Sequence, residues 1–177
     1  MALTKVIGSG IGTVTNQFAD GNMAAGSVIQ TLSTTKTDDF ASSSTSFADI
    51  SGMSVAITPS STSNKILVLV YCSIVCDDST GLKLLRDSTA ISFADADGSR
   101  QRYSMIGMLG TASNEIYNAG ANHMHFLDSP SSTSALTYKL QGIARSGSFY
   151  INRTIYNTDN TASARGTSTI TAMEIAV

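Results

Sequence analysis

The chain has no tryptophan, and only two prolines, two cysteines and two histidines are spread over its 177 residues. So few cysteines exclude the disulfide framework with which small secreted domains compensate for a thin core. Cys72 and Cys76 also lie in a segment that reads as a strand, which sets them roughly 13 Å apart along the chain. A disulfide spans about 7 Å between Cα atoms, so no bond between them is expected. Half of a metal site is the alternative, but no second cysteine pair supplies the other ligands, and two small apolar strand residues are the plainer reading. Charge is scarce as well, at 14% of residues against about a quarter in an average domain. The formal net charge of -2 is spread without runs. With no basic stripe to displace counterions from phosphates, nucleic acid is not an expected partner. No apolar stretch approaches the roughly 20 residues of a membrane helix, and the N-terminus lacks a charged-then-apolar leader. Neither membrane insertion nor a signal peptide is expected.

What the chain has instead is serine and threonine, together about a quarter of the residues, and 42% hydrophobic content. Threonine's branched Cβ suits a pleat, and serine's hydroxyl suits turns. A chain of this size removes roughly 70% of its unfolded surface from water, enough for one packed core. Residues 1–25 differ from the rest. They carry Gly8, Gly10, Gly12 and Gly21 among isolated apolar residues with no period of two or 3.6. Leu3, Val6, Ile7, Ile11, Val14 and Phe18 are the candidates by which such an extended N-terminal arm would be held on a neighbouring subunit.

Residues 26–177 read as a head domain of short β-branched runs separated by polar clusters. Strands are expected over 26–34, 53–58, 64–76, 82–86, 89–93, 102–109, 121–127, 134–144, 148–153 and 167–176. The run 64–76 is almost continuously apolar, which predicts a central strand covered on both faces. Asp77-Asp78-Ser79-Thr80-Gly81 supplies turn chemistry, and Asp87-Ser88 a tight turn between strands. Helix is compatible only with 16–25 and 114–118. About ten strands at near-regular spacing predict an all-β fold, a jelly-roll-like antiparallel β-sandwich behind the arm.

Motifs for chemistry are sparse. Gly8-Ser9-Gly10-Ile11-Gly12 lacks the spacing and the flanking strand and helix of a phosphate loop. Asp95-Ala96-Asp97-Gly98 resembles part of a calcium loop, but Phe93 and Ser104 fall where ligands belong, so a turn is the better reading. His123 and His125 flank Met124, and strand alternation puts both imidazoles on one side. On a threefold axis three such pairs would offer six nitrogens to an octahedral metal; ordinary packing of two neutral histidines is the alternative. Neither a Ser–His–Asp arrangement nor paired carboxylates emerge, Glu115 and Glu174 being the only glutamates. No cofactor and no catalytic residue is expected. Tyr150, Asn152, Arg153, Tyr156 and Asn157 read either as a polar-aromatic surface for sugars or as plain strand and loop residues.

The order of several segments resembles short virion proteins of tailed bacteriophages, particularly marine ones, related to tail fibres and capsid fibres. These segments are Met1-Ala2-Leu3-Thr4-Lys5-Val6, Gly26-Ser27-Val28-Ile29-Gln30-Thr31, residues 54–70 with Ile57-Thr58-Pro59-Ser60-Ser61, Leu84-Leu85-Arg86-Asp87-Ser88, Phe126-Leu127-Asp128-Ser129-Pro130 and Ser168-Thr169-Ile170-Thr171-Ala172-Met173-Glu174-Ile175. The resemblance spans nearly the whole chain. It implies a non-enzymatic structural protein of the virion, made in the host cytoplasm, whose N-terminal segment docks onto other virion proteins. It further implies homotrimers and a β-rich distal domain for host-surface adhesion to a glycan or protein. A capsid decoration protein is the alternative role, and a polysaccharide depolymerase a more remote one. The long shaft of the larger fibres is missing.

Overall fold

In the computed structural model, residues 23–107 and 119–177 are described. The arm candidates Leu3, Val6, Ile7, Ile11, Val14 and Phe18 lie outside them, as do the helix candidate 114–118 and most of 16–25. The strands are β1 Val28–Lys36, β2 Phe40–Ser42, β3 Ala48–Ile57, β4 Lys65–Cys76, β5 Ser79–Arg86, β6 Thr89–Ile91, β7 Met105–Ile106, β8 Gly120–Asp128, β9 Leu136–Ser146, β10 Phe149–Ile151 and β11 Ser168–Ile175. They form two antiparallel sheets. The larger runs β1-β11-β4, with β8 on the far edge of β4 and the short β10 and β2 continuing one end; the smaller runs β3-β9-β5-β6, with β7 also on β5.

The pairings are nested. β1 pairs with β11, β3 with β9, β4 with β8 and β5 with β6. The chain is thus one long antiparallel hairpin rolled so that its successive arms alternate between the sheets, which is the jelly-roll arrangement. Its innermost turn is Asp87-Ser88, where Asp87 takes φ 54°. Asp87 is tolerated there because an aspartate side chain stabilises a local turn. Its carboxylate accepts the Thr137 amide at 2.8 Å and so ties the turn to β9.

Burial follows the period of two that the sequence carries. β11 alternates strictly, with Ser168, Ile170, Ala172 and Glu174 buried. Ile66, Val68 and Val70 from β4 meet Leu82, Leu84, Tyr138 and Leu140 from the other sheet in one core. Each such aliphatic side chain contributes about 1.5–3 kcal/mol relative to exposure. Close packing shows at Gly142, where a Cβ would come within 2.4 Å of the Phe149 ring; a glycine is needed for the aromatic to cover β9.

Several expectations change. β4 is not covered on both faces along its length: Leu69 and Tyr71 are each 37% exposed, and only the stretch Cys72–Cys76 is buried throughout. The apolar run states that the segment avoids water but not whose atoms cover it. Ser79, Thr80 and Gly81 belong to β5 rather than to the turn, because Thr80 donates its hydroxyl to the Ile143 carbonyl at 2.8 Å and pairs with β9. Of the strand expected over 102–109, residues 108 and 109 lie outside the described residues, and β7 takes Met105–Ile106 of the remainder. β2 had no sequence signal, being three residues held by β10.

Cys72 and Cys76 are both buried and are not joined to each other by a disulfide. Burial pushes the Cys72 thiol up to about 12. Burial, with Asp77 and Asp78 nearby, pushes Cys76 up to about 11. The thiolate is the nucleophile, so at pH 8 neither cysteine should react with a thiol-specific disulfide reagent while the chain is folded, and both should react at once in 6 M guanidinium, an about stoichiometric release on unfolding. Rapid labelling of the native chain would contradict this packing.

Candidate functional site

The outer face of the larger sheet is where the sequence-predicted histidines fall. β8 alternates so that Asn122, Met124 and Phe126 turn toward the core while His123, His125 and Leu127 are exposed. Register then places His125 opposite Leu69, His123 opposite Tyr71 and Leu127 opposite Leu67 of β4. The His123 ring lies 5.0 Å from that of Tyr71, tilted by 54°. Both imidazoles do share one side, as strand alternation requires. Among the described residues no group of three or more His, Cys, Asp and Glu is placed to hold a metal ion.

Beyond β4 the face continues over β11 and β1. Thr171 stands opposite Leu69 and Thr169 opposite Tyr71. Ser33 and Thr171 share a hydrogen bond at 2.8 Å, and the Thr35 and Thr169 hydroxyls one at 3.4 Å. The face is thereby divided into a neutral hydroxyl ladder on β1 and β11 and an apolar half on β4 and β8. A shallow depression of about 350 Å³ lies between the halves, lined by Leu69, Tyr71, His123, His125, Thr169 and Thr171. A solvated antiparallel sheet normally presents polar side chains to water. Here Leu127 is 48% exposed beside Leu69 and Tyr71.

The loops that frame this sheet are fixed by buried polar groups. Glu174, fully buried on β11, accepts the Ser60 amide at 2.7 Å, the Ser60 hydroxyl at 2.6 Å and the Asn64 amide at 2.8 Å, along with Gln30. Burial raises its pKa, but the hydrogen bonds from Ser60, Asn64 and Gln30 outweigh burial and leave it below the ordinary value. Across Ile66 of β4 in the same sheet stands Asp128; Arg86 donates from Nη1 to both its oxygens, at 2.8 and 2.7 Å, and the Tyr138 hydroxyl donates to Asp128 at 2.7 Å. Burial and then this carboxylate hold the Tyr138 phenol far above its usual pKa.

Of the five residues considered for a sugar surface, Tyr150 and Arg153 are in contact and Asn157 lines a depression that Arg165 also lines. Asn152 is fully buried and structural. Arg153 stacks on the Tyr150 ring at 4.2 Å, and Tyr156 is half exposed. At Asp95-Ala96-Asp97-Gly98 the backbone makes a turn, with the Arg100 amide donating to the Asp97 carbonyl at 3.1 Å and Gly98 at φ 56°. The strongest feature that sequence reasoning missed is the pair Arg153 and Arg165, brought opposite each other by an isolated antiparallel bridge. Nothing in a spacing of this kind announces such a contact.

The chain matches no protein-family model and no curated protein sequence. Among the described residues no helix is long and apolar enough to cross a membrane.

Proposed function

We propose that the protein is a non-enzymatic structural protein of a tailed-phage virion: a short tail- or capsid-fibre protein that docks through residues 1–25 and presents residues 26–177 as a jelly-roll head. The observation that carries this reading is the outer face of the larger sheet, apolar over β4 and β8 and free of charge at its middle. Four strands about 4.8 Å apart and about eight residues long offer roughly 500 Å², so three copies that turn the face to one axis bury about 1,500 Å² in all, above the roughly 1,000 Å² of a specific interface. Charge is absent from its middle, which removes the like-charge repulsion that would oppose a second identical surface. The occupant that fits best is therefore another copy of this chain. Homotrimers, the state implied by the fibre resemblance, place three such faces about one axis with Leu69, Tyr71 and the His123/His125 pair inward.

Host attachment is the role assigned to the exposed end of such a head. The test is competition. Purified full-length chain added in excess is expected to reduce adsorption of particles to host cells, with no release of reducing ends from host polysaccharide. Unchanged adsorption, with particles lacking the protein losing infectivity on mild heating, would assign it to capsid stabilisation instead.

A further inference from the structure

Arg153 and Arg165 face each other across an antiparallel bridge, a placement that costs free energy because like charges directly opposite repel. One carboxylate lies between them. Asp39 is 2.7 Å from Arg165 Nη1 and 3.5 Å from Arg153 Nε. The Arg165 hydrogen bond holds the Asp39 carboxyl below its ordinary value, so it is ionised near neutrality. Two guanidinium groups against one carboxylate leave a net positive charge. They also leave donors over, since each guanidinium has five N–H groups and a single carboxylate is shared between the two.

The surroundings are built to hold the fork still. Tyr150 stacks beneath the Arg153 guanidinium at 4.2 Å, and the Gly166 amide donates to the Asn152 carbonyl at 3.1 Å, locking the two arginine segments together. Both arginines line a cavity of about 310 Å³ whose walls include Ser73, Thr154 and Gly166. Arg165 also lines an adjoining depression of about 290 Å³ formed by Asn157, Thr158, Asp159, Asn160 and Ser163. One end of the groove is cationic, and the other is neutral hydroxyl and amide apart from Asp159.

We propose that this groove binds an acidic sugar, its carboxylate received by Arg153 and Arg165 and its hydroxyls by the Asn157–Ser163 side. A guanidinium fork matches a carboxylate in shape and charge. Asp159 disfavours a second negative group farther along, which selects a singly charged sugar over a polyphosphate chain. The choice of a glycan rests on the host-attachment reading; the anion preference rests on the groove.

The experiment is a titration of the full-length ¹⁵N-labelled chain, following the arginine Nε–Hε resonances, with methyl glucuronide, its neutral methyl ester and sodium sulfate. Methyl glucuronide is expected to shift the Arg153 and Arg165 signals saturably. The ester, and Arg165→Gln with the acid, should bind at least about tenfold more weakly, the loss of one charge-assisted contact. Sulfate should be weaker than the sugar acid. No shift at either arginine, or equal binding of the ester, would overturn the site; sulfate binding as tightly as the glucuronide would overturn the sugar. Failure of the chain to compete with particle adsorption while the titration succeeds would count against attachment as its role and leave the site standing.

Discussion

Glu174→Ala is expected to lower the unfolding free energy by about 4 kcal/mol, because it takes the shared acceptor from four donors of Gln30, Ser60 and Asn64, at about 1–3 kcal/mol for each that water fails to reach. Those donors belong to β1 and to the loop between β3 and β4, so one carboxylate on β11 ties β1 to the loop that leads from one sheet to the other. Glu174→Gln should cost about half as much, since its amide keeps one oxygen acceptor but turns donors toward donors. The pH dependence follows from the depressed pKa. A carboxylate whose folded value lies below its unfolded one stabilises fully above the unfolded value and loses that contribution as pH falls through the folded one. The wild type should therefore exceed Glu174→Gln most above the ordinary glutamate value of 4.5, and the gap should close in more acid solution. Urea unfolding of both chains at a series of pH values measures it.

Asn152→Ala is expected to cost about as much, for two separable reasons. Asn152 holds φ 61°, where a Cβ costs roughly 1–2 kcal/mol in most residues. Its amide donates to the Lys36 and Asp38 carbonyls at 2.8 and 2.9 Å, and its oxygen accepts the Ser168 hydroxyl at 2.6 Å. Ser168 Oγ in turn accepts the Ser73 amide at 3.0 Å. This one side chain thus joins β1, β4 and β11. Asn152→Gly frees the backbone but still deletes the bonds, so it should recover about 1 kcal/mol of the alanine loss and no more. Equal stability of the glycine variant and the wild type would refute the network's importance.

The sandwich itself was legible because its strands are long enough to display period two: 134–144 and 167–176 announce β9 and β11, and Asp87-Ser88 announces the innermost turn. The side shared by His123 and His125 was legible for the same reason. Other features were hidden where partners are remote. β2 exists through its pairing with β10, more than a hundred residues later, and three residues carry no period. The run 64–76 looked doubly covered because hydrophobicity reports avoidance of water, not the source of the cover. In this fold β8 and β11 flank β4 within its own sheet and leave Leu69 and Tyr71 open. A buried glutamate and a facing arginine pair were likewise unreadable, since their neighbours arrive from β1, β10 and distant loops.

The exposed apolar face is the claim on which the assembly role depends, and the mass of the full-length chain in solution tests it most directly. Light scattering coupled to size exclusion should give three times the chain mass of 18.5 kDa, falling to a single chain when Leu69→Lys and Tyr71→Lys place two charges in the centre of that face. A wild-type chain that runs as a monomer at every concentration, or a lysine variant that assembles as well as the wild type, would contradict the account.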